Sequence, residues 1–386
     1  MSDRLLGERW SPRVSNVRVT PGVAMLIVIV VLGGCGSSGE TSPTTTSGDA
    51  GASSTEAPAD TIADSGDVGS LSPEPVTMVV DTDVAPDDLV ALAFLVASPS
   101  VTVQAITVTG AGEVRCEAGL DIVLSLLERL DAAEIPVACG AEAPIAGQHE
   151  FPSAFRRNAE RAAGLELPST TREAAPVDAV TLLLDSFAGA SDPIRLLTLG
   201  PLTNVAMALE QDASLASRID SIWVMGGAVD VAGNVAGFPG PSVDNTAAEW
   251  NIYVDPTAMA SVLDAGVPVH LVSLDGTNQV PVTPAFVAQV NEAAGGAAPL
   301  DVLAELFSEN DYMTSGDYYL WDPLAAILAA GHDIGTFTDA HLTVDTTEGD
   351  TSGATRSGPG DPNAGYLTAV DANTAQQTLL DVLALG

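Results

Sequence analysis

Residues 81–88 read DTDVAPDD, which puts four carboxylates, Asp81, Asp83, Asp87 and Asp88, within eight positions. Asp81 and Asp83 are two apart and share a face where the chain is extended. Asp87 and Asp88 fall where a following helix would begin, and a helix N-terminus favours anions. Four such groups at one point repel one another unless a counter-charge is supplied. No Lys or Arg occurs between Arg18 and Arg115, so a bound cation is the simplest source of that charge. Oxygen donors suit Ca2+ or Mg2+ rather than zinc. A second region must complete the shell, and Asp322, set in the apolar run YYLWDPLAAIL, is the obvious donor. N-capping is the competing explanation for Asp87 and Asp88, and for Asp322 before Pro323, but it leaves Asp81 and Asp83 unexplained. A cation with an open position binds water, lowers its pKa and holds it beside a carboxylate base, which is machinery for hydrolysis.

Such side chains need a scaffold that gathers strand ends. Apolar runs at residues 76–80, 103–108, 135–138, 194–199, 219–225 and 267–271 read as strands. They are mostly continuous rather than alternating, as expected for strands buried on both faces. Helical patterns lie between them, at 120–130 (LDIVLSLLERL) and at 204–209. Asp255-Pro256 running to Gly266 has the cap, first-turn Pro and terminal Gly of a helix, and Trp321-Asp322-Pro323 repeats that syntax. Residues 340–370 read as a late strand pair around a polar, Gly-rich loop, and 374–385 as a closing helix. The sum is an α/β fold, a mostly parallel central sheet flanked by helices in a single large domain, 75–386. Ligands in such folds gather at the carboxyl ends of strands. Asp81 and Asp83 follow the first strand, Leu199-Gly200-Pro201 the fourth, and Met225-Gly226-Gly227 the fifth.

The chain has 386 residues and a formal net charge of −38, from 51 acidic and 13 basic residues. That surface repels phosphate backbones, which argues against nucleic acid as a partner. Residues 1–22 carry four Arg, and the 10-residue apolar run VAMLIVIVVL, ending at Leu32, leads directly into Gly33-Gly34-Cys35. The run is too short to span a bilayer but suits a signal peptide. With Cys35 it resembles a lipobox, so 1–35 reads as a lipoprotein leader and Cys35 as the lipidated residue. The expected location is extracytoplasmic, anchored to the membrane through that lipid. Residues 36–74, rich in Gly, Ser and Thr, read as a disordered tether. Cys116 and Cys139 can pair in an oxidising compartment, since one opens a predicted helix and the other ends the strand after it.

The aspartate run resembles the signature of the inosine–uridine-preferring nucleoside hydrolase family, Asp-x-Asp-Pro-Gly-x-Asp-Asp, with Val84-Ala85 in place of Pro-Gly. Four further blocks match in order: residues 198–204 (TLGPLTN), 224–227 (VMGG), 248–256 (AEWNIYVDP) and 322–323 (DP). The resemblance implies a Rossmann-like fold, Ca2+ as cofactor, and hydrolysis of the N-glycosidic bond of ribonucleosides. It implies Asp83 as metal ligand and general base, with Asp88, the main-chain oxygen of Leu199, and Asp322 as the other ligands. Asp87 would take the ribose hydroxyls, Glu249 and Asn251 the 5′ side of the sugar, and Met225 and Asn234 its face and edge. Asp81 is left as support, and Asn204 as a structural residue at a helix start. Three departures stand out. Val84-Ala85-Pro86 replaces the usual turn, Ala111 replaces an Asn after the second strand with Glu113 nearby, and Trp321 replaces a His before the last Asp. An indole cannot protonate a base but can stack on one, and His149 in a loop is a weak alternative acid. Two other readings stay open, a nucleoside-binding lipoprotein without turnover and a hydrolase of another ribosyl conjugate. Homo-oligomerisation also stays open.

Overall fold

In the first strand, β1 (Val76–Thr82), Met78 and Val80 pack into one apolar cluster and Val79 into a second. Successive side chains of a strand point to opposite faces, so β1 is buried on both sides, as its unbroken apolar run requires. The computed structural model describes residues 73–236 and 243–386, all within one unit, Val68–Gly386. The leader, Cys35 and tether residues 36–72 lie outside the described residues. Among the described residues no helix is long and apolar enough to cross a membrane.

The other strands are β2 (Val101–Val108), β3 (Val137–Cys139), β4 (Ile194–Thr198), β5 (Ile219–Met225), β6 (Val269–Val272), β7 (Gly335–Val344), β8 (Thr355–Gly358) and β9 (Ala364–Val370). They form one sheet in the order β3-β2-β1-β4-β5-β6-β9-β7-β8. All pairings from β3 through β9 are parallel, while β7 runs antiparallel to both β9 and β8. Helices Pro86–Ala97 and Trp321–Ala329 bury their apolar residues on one face, and Thr203–Gln211 and Pro256–Leu263 on the other. The expected mostly parallel, helix-flanked sheet is therefore what the chain builds.

Two local readings change. The C-terminal strand pair is a set of three, because β7 starts earlier, at Gly335, and β8 is added at the edge. Their half-exposed, polar-rich residues carry little apolar signal. The second change concerns Asp322. Its helix begins at Trp321 with Leu320 at the cap, so Asp322 lies inside the first turn and is not the capping residue. Asp255, in contrast, does cap its helix, its Oδ1 accepting from the Ala258 amide at 3.0 Å.

Cys116 and Cys139 form a disulfide that ties the start of helix Cys116–Arg129 to the end of β3. The pairing of adjacent connections at one sheet edge is the arrangement expected from the parallel order of β2 and β3.

Candidate active site

β1 ends in the aspartate run, and the turn that follows shapes the site. Val84 adopts φ 62°, a left-handed conformation uncommon for a β-branched residue. The turn folds the amides of Asp83, Val84 and Ala85 onto the Asp88 carboxylate at 3.2, 3.3 and 3.1 Å. The Thr82 hydroxyl also donates to Asp88. Backbone amides thus hold this carboxylate with Val-Ala-Pro in place of the usual Pro-Gly.

Asp81 lies behind this turn. Its Oδ1 accepts from the Thr107 hydroxyl and, at 2.9 Å, from Asn204 Nδ2. The Asn204 amide also donates to the Val108 carbonyl at 3.0 Å and accepts from the Ala141 amide at 3.2 Å. Asn204 therefore ties the ends of β1 and β2 together, as a structural residue. Burial outweighs these bonds and pushes the Asp81 carboxyl up to about 7.

Asp83 is 2% exposed, and its Oδ2 accepts from the Glu113 amide at 3.1 Å. It is wedged between two glycines. A Cβ on Gly112 would lie 2.2 Å from the Asp83 Cβ, and one on Gly200 2.7 Å from it. Gly112→Ala must therefore push Asp83 aside. Displacement of a reacting group by about an ångström costs on the order of 100-fold in rate, so this variant is expected to lose roughly that much kcat. Steady-state kinetics beside a thermal melt will show whether the loss is catalytic or a loss of folded protein.

The carboxylates of Asp87, Asp88 and Asp322 converge, with one oxygen from each within 4.8 Å of the others. Asp83 shares their cavity but is not part of this tightest group. Burial, then the Asp88 charge, pushes Asp87 up to about 7. Burial together with neighbouring acids pushes Asp83, Glu113 and Asp322 well above the usual carboxylate range. Such groups take up protons unless a positive charge joins them. The cavity wall contains seven acids, Asp83, Asp87, Asp88, Glu113, Glu249, Asp317 and Asp322, and no Arg or His among the described residues. A buried, all-oxygen donor set without a protein counter-charge fits a divalent cation.

The opposite wall comes from the segment after β5. Glu249 caps the short helix Trp250–Val254, accepting from the amides of Asn251 at 2.9 Å and Ile252 at 3.2 Å. Its Oε2 also takes the Gly227 amide at 3.0 Å, which locks this helix to the end of β5. Asn251 Nδ2 donates to the main-chain oxygens of Leu199 at 2.7 Å and Met225 at 3.2 Å. Both residues are buried. The Asn234 Oδ1 accepts from the Trp250 amide at 3.1 Å.

All ten expected site residues line one cavity of about 490 Å³: Asp83, Asp87, Asp88, Leu199, Met225, Asn234, Glu249, Asn251, Trp321 and Asp322. The sequence reading missed the aromatic and amide residues around it, Phe151, Phe155, Asn158, Tyr312 and Tyr318. Phe151 and Phe155 carry no motif signal in the sequence; their common approach to Trp250, at 5.3 and 6.1 Å, marks them. His149 does not line the cavity. Its ring nitrogens meet the Tyr253 carbonyl at 2.7 Å and Glu348 at 3.0 Å.

The model of the inosine-uridine preferring nucleoside hydrolase family matches residues 78–377. The chain belongs to this family. This nucleoside hydrolase is 34% identical over 232 residues to a pyrimidine-specific ribonucleoside hydrolase from Photobacterium profundum, covering 59% of this chain and 69% of that protein. Its fold superposes on a plant nucleoside hydrolase with a TM-score of 0.72 at 26% identity, covering 80% of this chain and 99% of the other. A purine-preferring ribonucleoside hydrolase from Gardnerella vaginalis gives a TM-score of 0.69 at 25% identity, over 80% of this chain and all of that one. The chain is thus an enzyme of the nucleoside-cleaving hydrolases, and its relatives include both pyrimidine- and purine-directed members.

Proposed function

We propose that this nucleoside hydrolase cleaves the N-glycosidic bond of ribonucleosides to free base and ribose in a Ca2+-dependent reaction. The observation that carries the reading is the convergence of the ten expected site residues on one acid-lined cavity. Asp88 and Asp322, with Asp83 and the Leu199 carbonyl, would hold the ion. When bound, it supplies a water of lowered pKa and the charge that keeps the surrounding carboxylates ionised. Asp83 would accept the proton of the attacking water; its Oδ2 is steadied by the Glu113 amide. Asp87 accepts hydrogen bonds from the ribose hydroxyls. Asn251 commits its Nδ2 to two carbonyls, which leaves its amide oxygen for the 5′-hydroxyl. Glu249 sets the position of Asn251 through their shared cap and adds negative charge on the sugar side. Glycosidic cleavage passes through an oxocarbenium-like state, and carboxylates around the ring stabilise that positive charge.

Incubating the protein with a panel of ribonucleosides and Ca2+ tests this. Ribose release from at least one nucleoside is the expected result. No release from folded, Ca2+-loaded protein would sink the reading, and tight binding without turnover would point to a binding protein instead.

The same proposal places the enzyme outside the cytoplasm on a lipid at Cys35. The charged leader and apolar run support it, as does a disulfide, which persists in oxidising compartments. Cys35→Ser is expected to move the protein from the membrane fraction to the soluble one; unchanged partitioning would count against the anchor.

A further inference from the structure

We propose that Tyr312 donates a hydrogen bond to the departing base and so serves as the catalytic group on the leaving-group side. The proposal rests on the nucleoside-hydrolase reading above. A base that leaves with the glycosidic electron pair gains negative charge and needs a donor there. An uncharged hydroxyl or amide in the cavity wall can meet that charge without adding another acid to the seven already there.

Most of those groups are committed. The Tyr318 hydroxyl is engaged with Asp87. Asn158 Nδ2 donates to the Tyr312 hydroxyl oxygen at 3.0 Å and approaches Asn310 Oδ1 at 3.4 Å. That first bond leaves the Tyr312 hydrogen unspent, since a phenol that accepts from Asn158 still has its own proton to give. Tyr312 is also reachable, being 47% exposed while lining the cavity. Burial and the Glu113 and Asp87 charges push its hydroxyl above its usual range, which keeps it protonated.

Trp321 completes the subsite as a platform. Its ring meets Tyr318 edge-on at 4.6 Å, and Tyr318 meets Tyr312 at 5.8 Å, so three rings run from the metal-side helix to the donor.

The balance is simple. The C1′–N bond breaks and its electron pair goes to the base nitrogen, stabilised by the Tyr312 O–H. Water forms the new C1′–O bond and loses its proton to Asp83, which passes it to solvent. The base anion takes its proton from solvent, and Tyr312 ends as it began.

Tyr312→Phe tests this with two substrates on the full chain, a nucleoside and 4-nitrophenyl β-D-ribofuranoside, whose leaving group is stable as an anion without help. Loss of one preorganised donor to a developing anion costs on the order of 100-fold in kcat. The expected result is a loss of about that size on the nucleoside and less than about 5-fold on the nitrophenyl riboside. Equal losses on both would mean a structural role, and no loss on the nucleoside would remove Tyr312 from the mechanism; either overturns the proposal. Asn158→Leu, which frees Tyr312 without deleting its hydroxyl, is expected to give a smaller loss confined to the nucleoside. A wild-type protein that cleaves neither substrate would defeat the nucleoside-hydrolase reading itself, an outcome distinct from failure of the Tyr312 variant alone.

Discussion

Replacing Asp83 with alanine is expected to lower kcat on ribonucleosides by at least about 1,000-fold, within the range seen for loss of a positioned base. Asp83 combines two roles in one carboxylate, accepting the proton from water and contributing to the cation shell. Its loss should not unfold the domain. The carboxylate is buried against Asp88 and Glu113, whose charges disfavour its ionised form, so deleting it removes repulsion as well as one hydrogen bond to the Glu113 amide. The variant should therefore melt no earlier than wild type when Ca2+ is withheld. Ribose release and circular dichroism melts on the same preparation check both statements. Preserved activity would displace Asp83 from the role of base.

The second large effect is expected at Asp322. Together with Asp87 and Asp88 it forms the tightest carboxylate group in the described structure. A ligand that binds only the folded state stabilises it by about 2.7 kcal/mol at 100 times its dissociation constant. Wild type should therefore gain a rise in Tm on addition of Ca2+, and Asp322→Ala should lose most of that rise along with at least about 100-fold of activity at the same Ca2+ concentration. Without Ca2+ the order should reverse, because the variant lacks one of several repelling, buried carboxylates. Thermal melts of both proteins with and without Ca2+ measure this directly. Equal Ca2+-induced shifts would place the ion elsewhere.

The parts of the site that lie in contiguous motifs were legible in the sequence. DTDVAPDD carries its own electrostatic argument, because four acids so close need an explanation beyond capping. Asp322 was legible as a polar residue in an apolar run. Its place within the helix was not, since Asp-Pro imitates a cap and only the backbone shows the helix starting at Trp321. The Val84 turn was unreadable for a related reason. Its function lies in main-chain amides aimed at Asp88, and side-chain identity says little about those. Glu249 and Asn251 were legible in the block AEWNIYVDP, but their division of labour depends on contacts with Gly227, Leu199 and Met225 that only the fold creates. The leaving-group wall was the least legible. Asn158 and Tyr312 are 154 positions apart and meet only across the cavity.

For the sheet, the continuous apolar strands β1, β2, β4 and β5 announced burial on both faces. The half-exposed residues of β7 and β8 did not, and their pairing depends on the antiparallel return from β9.

The central claim is that a divalent cation in the aspartate cavity is required for N-glycosidic cleavage. The most direct test is ribose release by chelator-treated enzyme as Ca2+ is added back, with the nucleoside held at saturation. The account predicts negligible turnover in chelator and a saturable return to full activity with Ca2+. Full activity in excess chelator, from protein shown by elemental analysis to be metal-free, would contradict it.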